Sequence, residues 1–315
     1  MFDQMQILVC FELSELERVA AANKMESYTK GGKTIYQIPD KVSQFCGIWF
    51  KIENRRATLK FSLHKQYYKA KFGNLDNSKM FTMAQTRYIF ELLENIGVDA
   101  AKAKAKYFEI GLNIPVPQPA IDYIKDIQSV GAKEKETFID ANWTKNRQRT
   151  TARTKSLKKI FKVYDKIWEM CDRAKVPQIE QTDGGILRVE TIYKRQSKNI
   201  ADLFNPKSLQ TLARQFYADW INAAFAKKLE SKGANSGQRS NAKRIFAVGL
   251  EGFYSEIKSQ YQSGEITRAA YRTQKAFADN WTANSLKFRQ ITTETETTFK
   301  NRFKLLMKTA QNVDI

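Results

Sequence analysis

The stretch 158–195 constrains the fold most, because it sets two carboxylates inside apolar, β-branched segments. It reads KKIFKVYDKIWEM, then the turn-rich connector CDRAKVPQIEQTDGG, then ILRVETIYKRQ. Two such segments around a proline and a glycine pair are typical of two strands joined by a long loop. Asp165 ends the apolar run of the first segment, and Glu190 lies within the second. A carboxylate in these surroundings is costly to bury unless it is paired, hydrogen-bonded or bound to a cation.

Side chains alternate between the two faces of a strand, which predicts the neighbours of each carboxylate. One face of the first segment carries Phe161, Val163, Asp165 and Ile167. One face of the second carries Arg188, Glu190 and Ile192. With Tyr164 next to Asp165, a phenol and a candidate metal site are expected close together. The alternative is ordinary polar chemistry at a strand end, with Glu190 simply paired to Arg188 or Lys194.

The charge of the chain points to a polyanionic partner. Its 315 residues include 53 Lys and Arg against 33 Asp and Glu, a net charge of +20 with a pI near 9.7. Nucleic acid is the commonest partner for such an excess. A basic surface that only aids solubility is the simpler alternative, and ribosomal, membrane-surface and chromatin-like roles fit the same charge. The 42% hydrophobic content is enough for packed cores and excludes a disordered chain.

The few cysteines and the single histidine exclude several classes of site. Cys10, Cys46 and Cys171 are far apart and form no C-x-x-C pair, so structural zinc is disfavoured. Sparse cysteines suit a reducing compartment. We find no secretory signal pattern at the first residues and no apolar run of the roughly 18–20 residues that span a bilayer. We therefore expect a cytoplasmic protein with no membrane partner.

The periodicity predicts an α+β fold with a mainly antiparallel sheet flanked by helices, followed by an all-helical C-terminal domain. Predicted strands cover 5–11, 33–38, 47–53, 57–64 and 107–116, and predicted helices cover 12–23, 82–95 and 120–130. From Pro206 onward the pattern is helical throughout. We place a domain boundary at Asn205–Pro206, giving a catalytic and DNA-binding domain, 1–205, and a helical domain, 206–315. Glu109 and Asn113 share a face of the strand 107–116, and Gly111 leaves room between them.

Two basic segments are candidates for DNA contact. In LHKQYYKAKFGN, a strand end would set Lys65, Lys69 and Lys71 on phosphates, with Tyr67 or Tyr68 near a sugar or base. The alternative is an ordinary exposed strand-to-loop transition. The polar segment 131–159, interpreted as a mobile loop or a ribbon of poorly packed structure, supplies a second group: Lys145, Arg147, Arg149, Arg153, Lys155, Lys158 and Lys159. Because this group immediately precedes Tyr164, we favour a phosphate-binding role over a merely solvated charge block.

Five segments in order carry a resemblance to a known family. They are SLHKQYYKAKFGN, FTMAQTRYIFELLENIGVD, YFEIGLNIPVPQP, KVYDKIWEM and ILRVETIYKR. Over about 57–195, the chain resembles the rolling-circle replication initiators of the phage and plasmid gene II/X type. It is more distantly similar to the plasmid Rep_trans and conjugative relaxase proteins. The helices after 205 match less clearly.

The resemblance implies a replication-initiator nuclease that nicks one DNA strand at an origin and rejoins it. Tyr164 would be the nucleophile that forms a 5′-phosphotyrosine, and Lys166 would neutralise developing charge. A divalent metal, Mg²⁺ or Mn²⁺, would be held by Glu109, Asp165 and Glu190. Such a cation can polarise and orient the scissile phosphate. The implied partner is origin DNA, single-stranded or supercoiled, with host helicase, host polymerase and a second copy of the chain as further candidates.

The sequence departs from the family pattern in its metal ligands. The two-histidine motif of many such nucleases is absent, which leaves His64 or Asn113 to complete the metal shell. Tyr67, Tyr68 and Tyr193 are rival nucleophiles. A non-catalytic, basic nucleic-acid-binding protein is the alternative from a different functional class. The single histidine disfavours a tyrosine recombinase, and the lack of a G-x-S-x-G motif disfavours a serine hydrolase.

Overall fold

The computed structural model describes residues 1–75, 79–138, 140–143, 149–174 and 184–310. The chain forms two compact units, one comprising Met1–Phe225 with Thr295–Ile315 and the other Ala226–Glu294. This division differs from the predicted boundary at Asn205–Pro206. The helix that follows Pro206 belongs to the first unit, because Phe216 and Trp220 are fully buried in its core.

A large sheet dominates the first unit. Its strands are β1 Phe2–Cys10, β2 Glu26–Lys30, β3 Lys33–Gln37, β4 Ile48–Glu53, β5 Arg56–Ser62, β6 Lys104–Val116, β9 Asp140–Trp143, β10 Arg149–Arg153, β11 Lys159–Asp165, β12 Gly185–Tyr193 and β13 Lys198–Asn199. The order across the sheet is β2-β3-β4-β5-β1-β6-β12-β11-β10-β9, and β13 pairs with β6. Every pairing described is antiparallel. The prediction of an α+β fold on a mainly antiparallel sheet is therefore confirmed.

Helices and short strands complete this unit. The helices are α1 Leu13–Ala22, α2 Asp40–Cys46, α3 Leu63–Phe72, α4 Tyr88–Asn95, α5 Ala120–Asp126, α6 Lys166–Ala174, α7 Ile200–Leu203, α8 Pro206–Ile221 and α12 Glu294–Ala310. A small sheet has the order β14-β7-β8, formed by β14 Ala224–Phe225, β7 Ile127–Val130 and β8 Glu136–Thr137. Local capping explains where helices begin. Ser62 accepts from the backbone N–H of Lys65, and Asn205 accepts from that of Ser208.

Three local predictions were wrong. The strand predicted at 57–64 ends at Ser62, and the following HKQYYKAK segment is α3. The apolar segment around Ile167 is α6 rather than a continued strand, because the Asp165 carboxylate accepts the backbone N–H of Trp168 and starts a helix. The basic segment 131–159, expected as a mobile loop or a ribbon of poorly packed structure, contains the strands β8, β9 and β10.

One face of the central strands packs against helices. On β12 this face carries Leu187, Val189 and Thr191, all buried. The indole Nε1 of Trp220, on α8, donates to Thr191 Oγ1 at 3.0 Å. We call this the helix-covered face; the other face of the same strands carries the polar residues described below.

The second unit combines helices with a hairpin. It contains β15 Lys228–Ser231, α9 Ser236–Gln262, α10 Arg268–Asp279, α11 Trp281–Ser285 and β16 Phe288–Ile291. The β15–β16 pair contradicts the expectation of helix throughout. A separate core holds the unit together, formed by Ala242, Ile245, Phe253, Ile257, Phe277, Ala278 and Phe288. Helix α9 kinks at Gly249, whose φ of 78° suits glycine. Across the described parts of both units, no helix is both long and apolar enough to cross a bilayer.

Candidate active site

The register of three central strands decides which side chains share the polar face. Tyr164 on β11 pairs with Arg188 on β12, and Lys162 pairs with Glu190. Arg188 in turn pairs with Asn113 on β6. Residues directly opposite in a sheet point to the same side. The polar face therefore collects a phenol, two cations, an amide and a carboxylate from three strands.

Three carboxylates meet on this face. Oxygen atoms of Asp3, Glu109 and Glu190 all lie within 4.8 Å of one another, and all three residues are buried. We call these residues the carboxylate cluster. Glu109 enters from β6 and Glu190 from β12, whereas Asp3 comes from β1, where the register with β6 shifts between Phe2 and Met5. Such a bulge re-aims side chains, which places the Asp3 carboxylate beside the other two.

The Arg188 guanidinium holds the cluster together. Its Nη2 donates to Asp3 Oδ2 and its Nε to Glu190 Oε1, both at 2.6 Å. Its Nη1 donates to Asn113 Oδ1 at 2.8 Å. The side chain occupies space that Gly111 leaves open, since a Cβ at residue 111 would lie 2.8 Å from Arg188 Nη2. The room that Gly111 provides between Glu109 and Asn113 is thus filled by a guanidinium.

Burial and charge separate the pKa values of the three carboxyl groups. Burial and the neighbouring Glu190 raise the pKa of Glu109 to about 8. Burial alone would raise the pKa of Glu190, but Arg188 and Lys162 hold it below its usual value. The pKa of Asp3 is likewise lowered, because Arg188 and the Ser62 hydroxyl outweigh its burial. Glu109 is therefore the member of the cluster that takes up a proton near neutral pH.

Two phenols hydrogen-bond directly to the cluster. Tyr164 Oη donates to Glu190 Oε1 at 2.9 Å, and Tyr107 Oη donates to Glu109 Oε1. Burial and Glu190 raise the pKa of Tyr164 well above its usual value. Burial and Glu109 do the same to the pKa of Tyr107. Both phenols are therefore neutral in the folded protein, and each points its proton at a carboxylate.

Asp165 does not join the cluster. It pairs with Leu187 on β12, so its side chain lies on the helix-covered face, opposite Glu190. There its Oδ1 accepts the backbone N–H of Trp168 at 3.0 Å. Strand alternation separates Asp165 from the other two members of the predicted ligand set, Glu109 and Glu190, so the structure does not bring these three carboxylates together. Asp3 lies beside Glu109 and Glu190 instead.

Lys166, predicted to be catalytic, and His64, predicted as a possible metal ligand, lie near the cluster. Lys166 is 2% exposed and its Nζ contacts Glu169 Oε2 at 2.8 Å. Its charge also acts on Asp3, while burial lowers the pKa of its amine. His64 is buried, stacks on Phe81 with 4.8 Å between ring centroids, and lines a cavity of about 130 Å³ together with Asn113 and Arg188. Among the described residues, His64 does not belong to the group of side chains that lies close enough together to hold one ion.

The rival nucleophiles lie elsewhere. Tyr68 Oη donates to the Met80 carbonyl at 2.8 Å, and Tyr67 Oη accepts from Gln85 at 3.2 Å. Tyr193 pairs with Phe108 and stacks on its ring, so it lies on the helix-covered face.

The predicted phosphate ligands are scattered. Lys65, Lys69 and Lys71 lie on α3 rather than on a strand end, and Lys71 is exposed. Arg153 is exposed and pairs with Lys162, which places it on the polar face. Lys155 and Lys158 are exposed in the connection before β11. Lys159 is on the helix-covered face, where its Nζ contacts Asp219 at 2.5 Å. Lys145 and Arg147 lie outside the described residues, as does the side chain of Arg149.

The donor set of the cluster suits a hard divalent cation. Three carboxylates converge where Arg188 and Lys162 supply the compensating charge, with Lys162 Nζ at 3.4 Å from Glu190 Oε2. Among the residues that the structure describes, no hydrogen-bond donor satisfies the buried Glu190 Oε2. Burial first, and then the neighbouring Glu190 charge, raise the pKa of Glu109. Mg²⁺ and Mn²⁺ prefer carboxylate oxygen, so the residues fit such an ion.

Sequence reasoning missed Asp3, Tyr107 and the bridging role of Arg188. The sequence does carry a signal for Asp3, an acid inside the apolar run MFDQMQILV, of the same kind that drew attention to Glu190. Its partner strands, however, are distant in sequence. The register that brings β1 beside β6 and β12 is set by tertiary pairing and a bulge.

Neither a scan against protein-family models nor a search of curated proteins finds a match to this chain.

Proposed function

We propose that this protein is a metal-dependent, site-specific single-strand DNA endonuclease and ligase that initiates rolling-circle replication. The observation that carries the proposal is the 2.9 Å hydrogen bond between the Tyr164 phenol and Glu190, a member of the three-carboxylate cluster. A nucleophile and a candidate base within hydrogen-bond distance are the usual arrangement for covalent catalysis. Glu109, Glu190 and Asp3 would hold Mg²⁺ or Mn²⁺, which when bound would polarise the scissile phosphate.

In the proposed step, the Tyr164 oxygen attacks phosphorus while its proton passes to Glu190. The bond from phosphorus to the 3′ oxygen breaks, so the 5′ end becomes a phosphotyrosine and the 3′ end leaves as a hydroxyl after gaining a proton. Rejoining is the reverse reaction, with the 3′ hydroxyl as nucleophile and Tyr164 as leaving group. Rejoining needs no oxidant or nucleotide cofactor, because the phosphotyrosine bond retains the free energy of the phosphodiester bond that was broken.

Two cations are suitably placed to receive the DNA phosphate. Lys162 Nζ lies 4.2 Å from the centroid of the Tyr164 ring, and Arg153 is its neighbour on β10. Tyr164 is only 5% exposed, so Lys162 has to move aside before a phosphate reaches the phenol. We expect the incoming phosphate to draw Lys162 away from Glu190, because a phosphate is an alternative anionic partner.

The direct test is detection of protein covalently joined to DNA. The wild-type chain is incubated with a single-stranded origin library and Mn²⁺, and adducts are resolved by denaturing electrophoresis. Tyr164→Phe should abolish the adduct and leave DNA affinity within about twofold. Tyr193→Phe is the matched control, because this phenol lies on the helix-covered face. Tyr107→Phe tests the other phenol that contacts the cluster. An undiminished adduct in Tyr164→Phe would refute the assignment of the nucleophile.

A non-catalytic nucleic-acid-binding protein is the second candidate. It is favoured by the Arg188 contacts, because a guanidinium already compensates Asp3 and Glu190 as in a purely structural network. This candidate predicts tight DNA binding, no adduct on any strand, and no increase in melting temperature with Mn²⁺. An Mn²⁺-dependent increase that is lost in Glu109→Gln and Glu190→Gln would count against it.

A further inference from the structure

The polar face extends well beyond the carboxylate cluster. On β1 the residues Gln4, Gln6, Leu8 and Cys10 are half-buried or exposed, whereas Met5, Ile7 and Val9 between them are buried. The same alternation holds on β4 and β5. Half of the large sheet thus presents one side to solvent, as antiparallel sheets commonly do.

Four residues form a straight row across this exposed side. Trp49 pairs with Lys60, Lys60 pairs with Gln6, and Gln6 pairs with Tyr107. We call these four residues the aromatic row. It crosses β4, β5, β1 and β6, three strand spacings or roughly 14 Å. The row ends at the cluster, because the hydroxyl of Tyr107 contacts Glu109.

The chemistry of the row matches an unpaired polynucleotide. Lys60 Nζ lies 4.6 Å from the Trp49 ring centroid, so a cation and an aromatic face form one platform. Such platforms bind single strands by stacking bases and contacting phosphates. Gln6 adds an amide that both donates and accepts hydrogen bonds. Lys51 and Lys33 flank the row and contact the acid Glu53 at 2.9 and 4.0 Å.

We propose that the aromatic row is a binding track for single-stranded DNA that leads one strand from Trp49 to the carboxylate cluster. The proposal rests on the function proposed above, since the track delivers that enzyme's substrate. Bases stack on Trp49 and Tyr107 at the two ends, and the intervening phosphate contacts Lys60. Duplex DNA cannot stack on the row, because its bases are already paired and stacked on one another.

The test is fluorescence anisotropy with a labelled oligothymidylate and, in parallel, a blunt duplex of mixed sequence. Trp49→Ala should weaken binding of the single strand by roughly 5- to 100-fold, the usual effect of losing one stacked base. Duplex affinity should change by less than about twofold. Trp49→Phe keeps an aromatic face and should retain most of the affinity. Lys207→Gln on α8 is the control for loss of an exposed lysine outside the row.

Lys60→Gln provides an independent readout that does not depend on how Trp49→Ala folds. Removing one phosphate contact should lower the slope of log affinity against log salt by about 0.7 for a single strand. Wild-type affinity in both Trp49→Ala and Lys60→Gln, with unchanged thermal unfolding, would overturn the track. So would an equal loss on the single strand and the duplex.

The track and the nicking activity can fail separately. If no adduct forms on any substrate but Trp49→Ala still weakens the single strand, the track stands and the proposed chemistry falls. If adducts form normally and the row variants bind like wild type, the chemistry stands and the track falls.

Discussion

The two faces of β12 are built from neighbouring residues, yet they stabilise the protein in opposite ways. Leu187 and Val189 fill an apolar core under helices, where burial itself is favourable. Arg188 and Glu190, one residue along, are just as buried, and burial there is tolerated only because every charge has a partner. The difference shows that the exposed fraction of a side chain does not distinguish an apolar core from a functional site. The chemical identity of the cross-strand partners does.

The largest expected effect comes from removing the guanidinium on the polar face. Arg188→Met removes the buried guanidinium that pairs with both Asp3 and Glu190, so the free energy of unfolding should fall by about 3–5 kcal/mol. Val189→Ala on the other face should cost roughly 2 kcal/mol. Urea unfolding of both variants measures the comparison. Adding Asp3→Asn and Glu190→Gln to Arg188→Met should recover stability, and a further loss instead would contradict the charge argument.

The second prediction concerns pH. The pKa of Glu109 rises from 4.5 to about 8 on folding, so the native state binds more protons between these values. Stability should therefore fall by a few kcal/mol as pH rises from about 4.5 to about 8. Glu109→Gln should lack this part of the slope, and thermal unfolding against pH measures the difference between the two proteins.

The affinity for Mn²⁺ should change with pH in the opposite direction to the stability of the metal-free protein. Because the ion binds the deprotonated carboxylate, its affinity should rise with pH up to about 8. Isothermal titration calorimetry at several pH values tests this dependence. Equal Mn²⁺ affinity at pH 6 and about pH 8 would show that Glu109 is not a ligand.

Sequence patterns predicted the fold class, the strand containing Glu109 and Asn113, and the shared face of Arg188 and Glu190. These succeed because alternation within one strand is a local property. The expectation that Asp165 and Glu190 lie on the same face fails because it depends on which residues of β11 stand opposite which residues of β12. The register between the two strands decides this, and a shift of one residue exchanges the two faces. Asp3 was missed for the same reason, since only tertiary pairing brings β1 to the site.

The predicted boundary at Asn205–Pro206 differs from the division into compact units for a related reason. Aromatic periodicity identified the helices after Pro206, but it does not say which core receives them. Phe216 on α8 and Phe303 on α12 face each other in the first unit, with 5.9 Å between ring centroids. Helices that are separated along the chain by a whole compact unit thus share one core.

A smaller effect is expected from the residue that leaves room for the guanidinium. Gly111→Ala would place a Cβ 2.8 Å from Arg188 Nη2 and 3.0 Å from Glu190 Cγ. The free energy of unfolding should fall by about 1–3 kcal/mol. Gly237→Ala is the control, because its Cβ would lie 3.5 Å from the nearest atom, an ordinary contact. Chemical unfolding measures the free energy of unfolding of both variants. Equal values for Gly111→Ala and Gly237→Ala would mean that the Arg188 side chain and its partners shift without cost.

The smallest expected effect on stability distinguishes Asp165 from Glu190, whose side chains lie on opposite faces of the sheet. Asp165→Ala removes the cap of α6 and should cost about 1 kcal/mol, while Asp165→Asn should keep most of the stability because asparagine also caps. Neither variant should change the Mn²⁺-dependent rise in melting temperature, which Glu190→Gln should abolish. If Asp165→Ala removed the Mn²⁺ effect as fully as Glu190→Gln, the two carboxylates would have to act on one ion. The register of β11 against β12 would then have to differ by one residue, because only that shift brings both side chains to the same face.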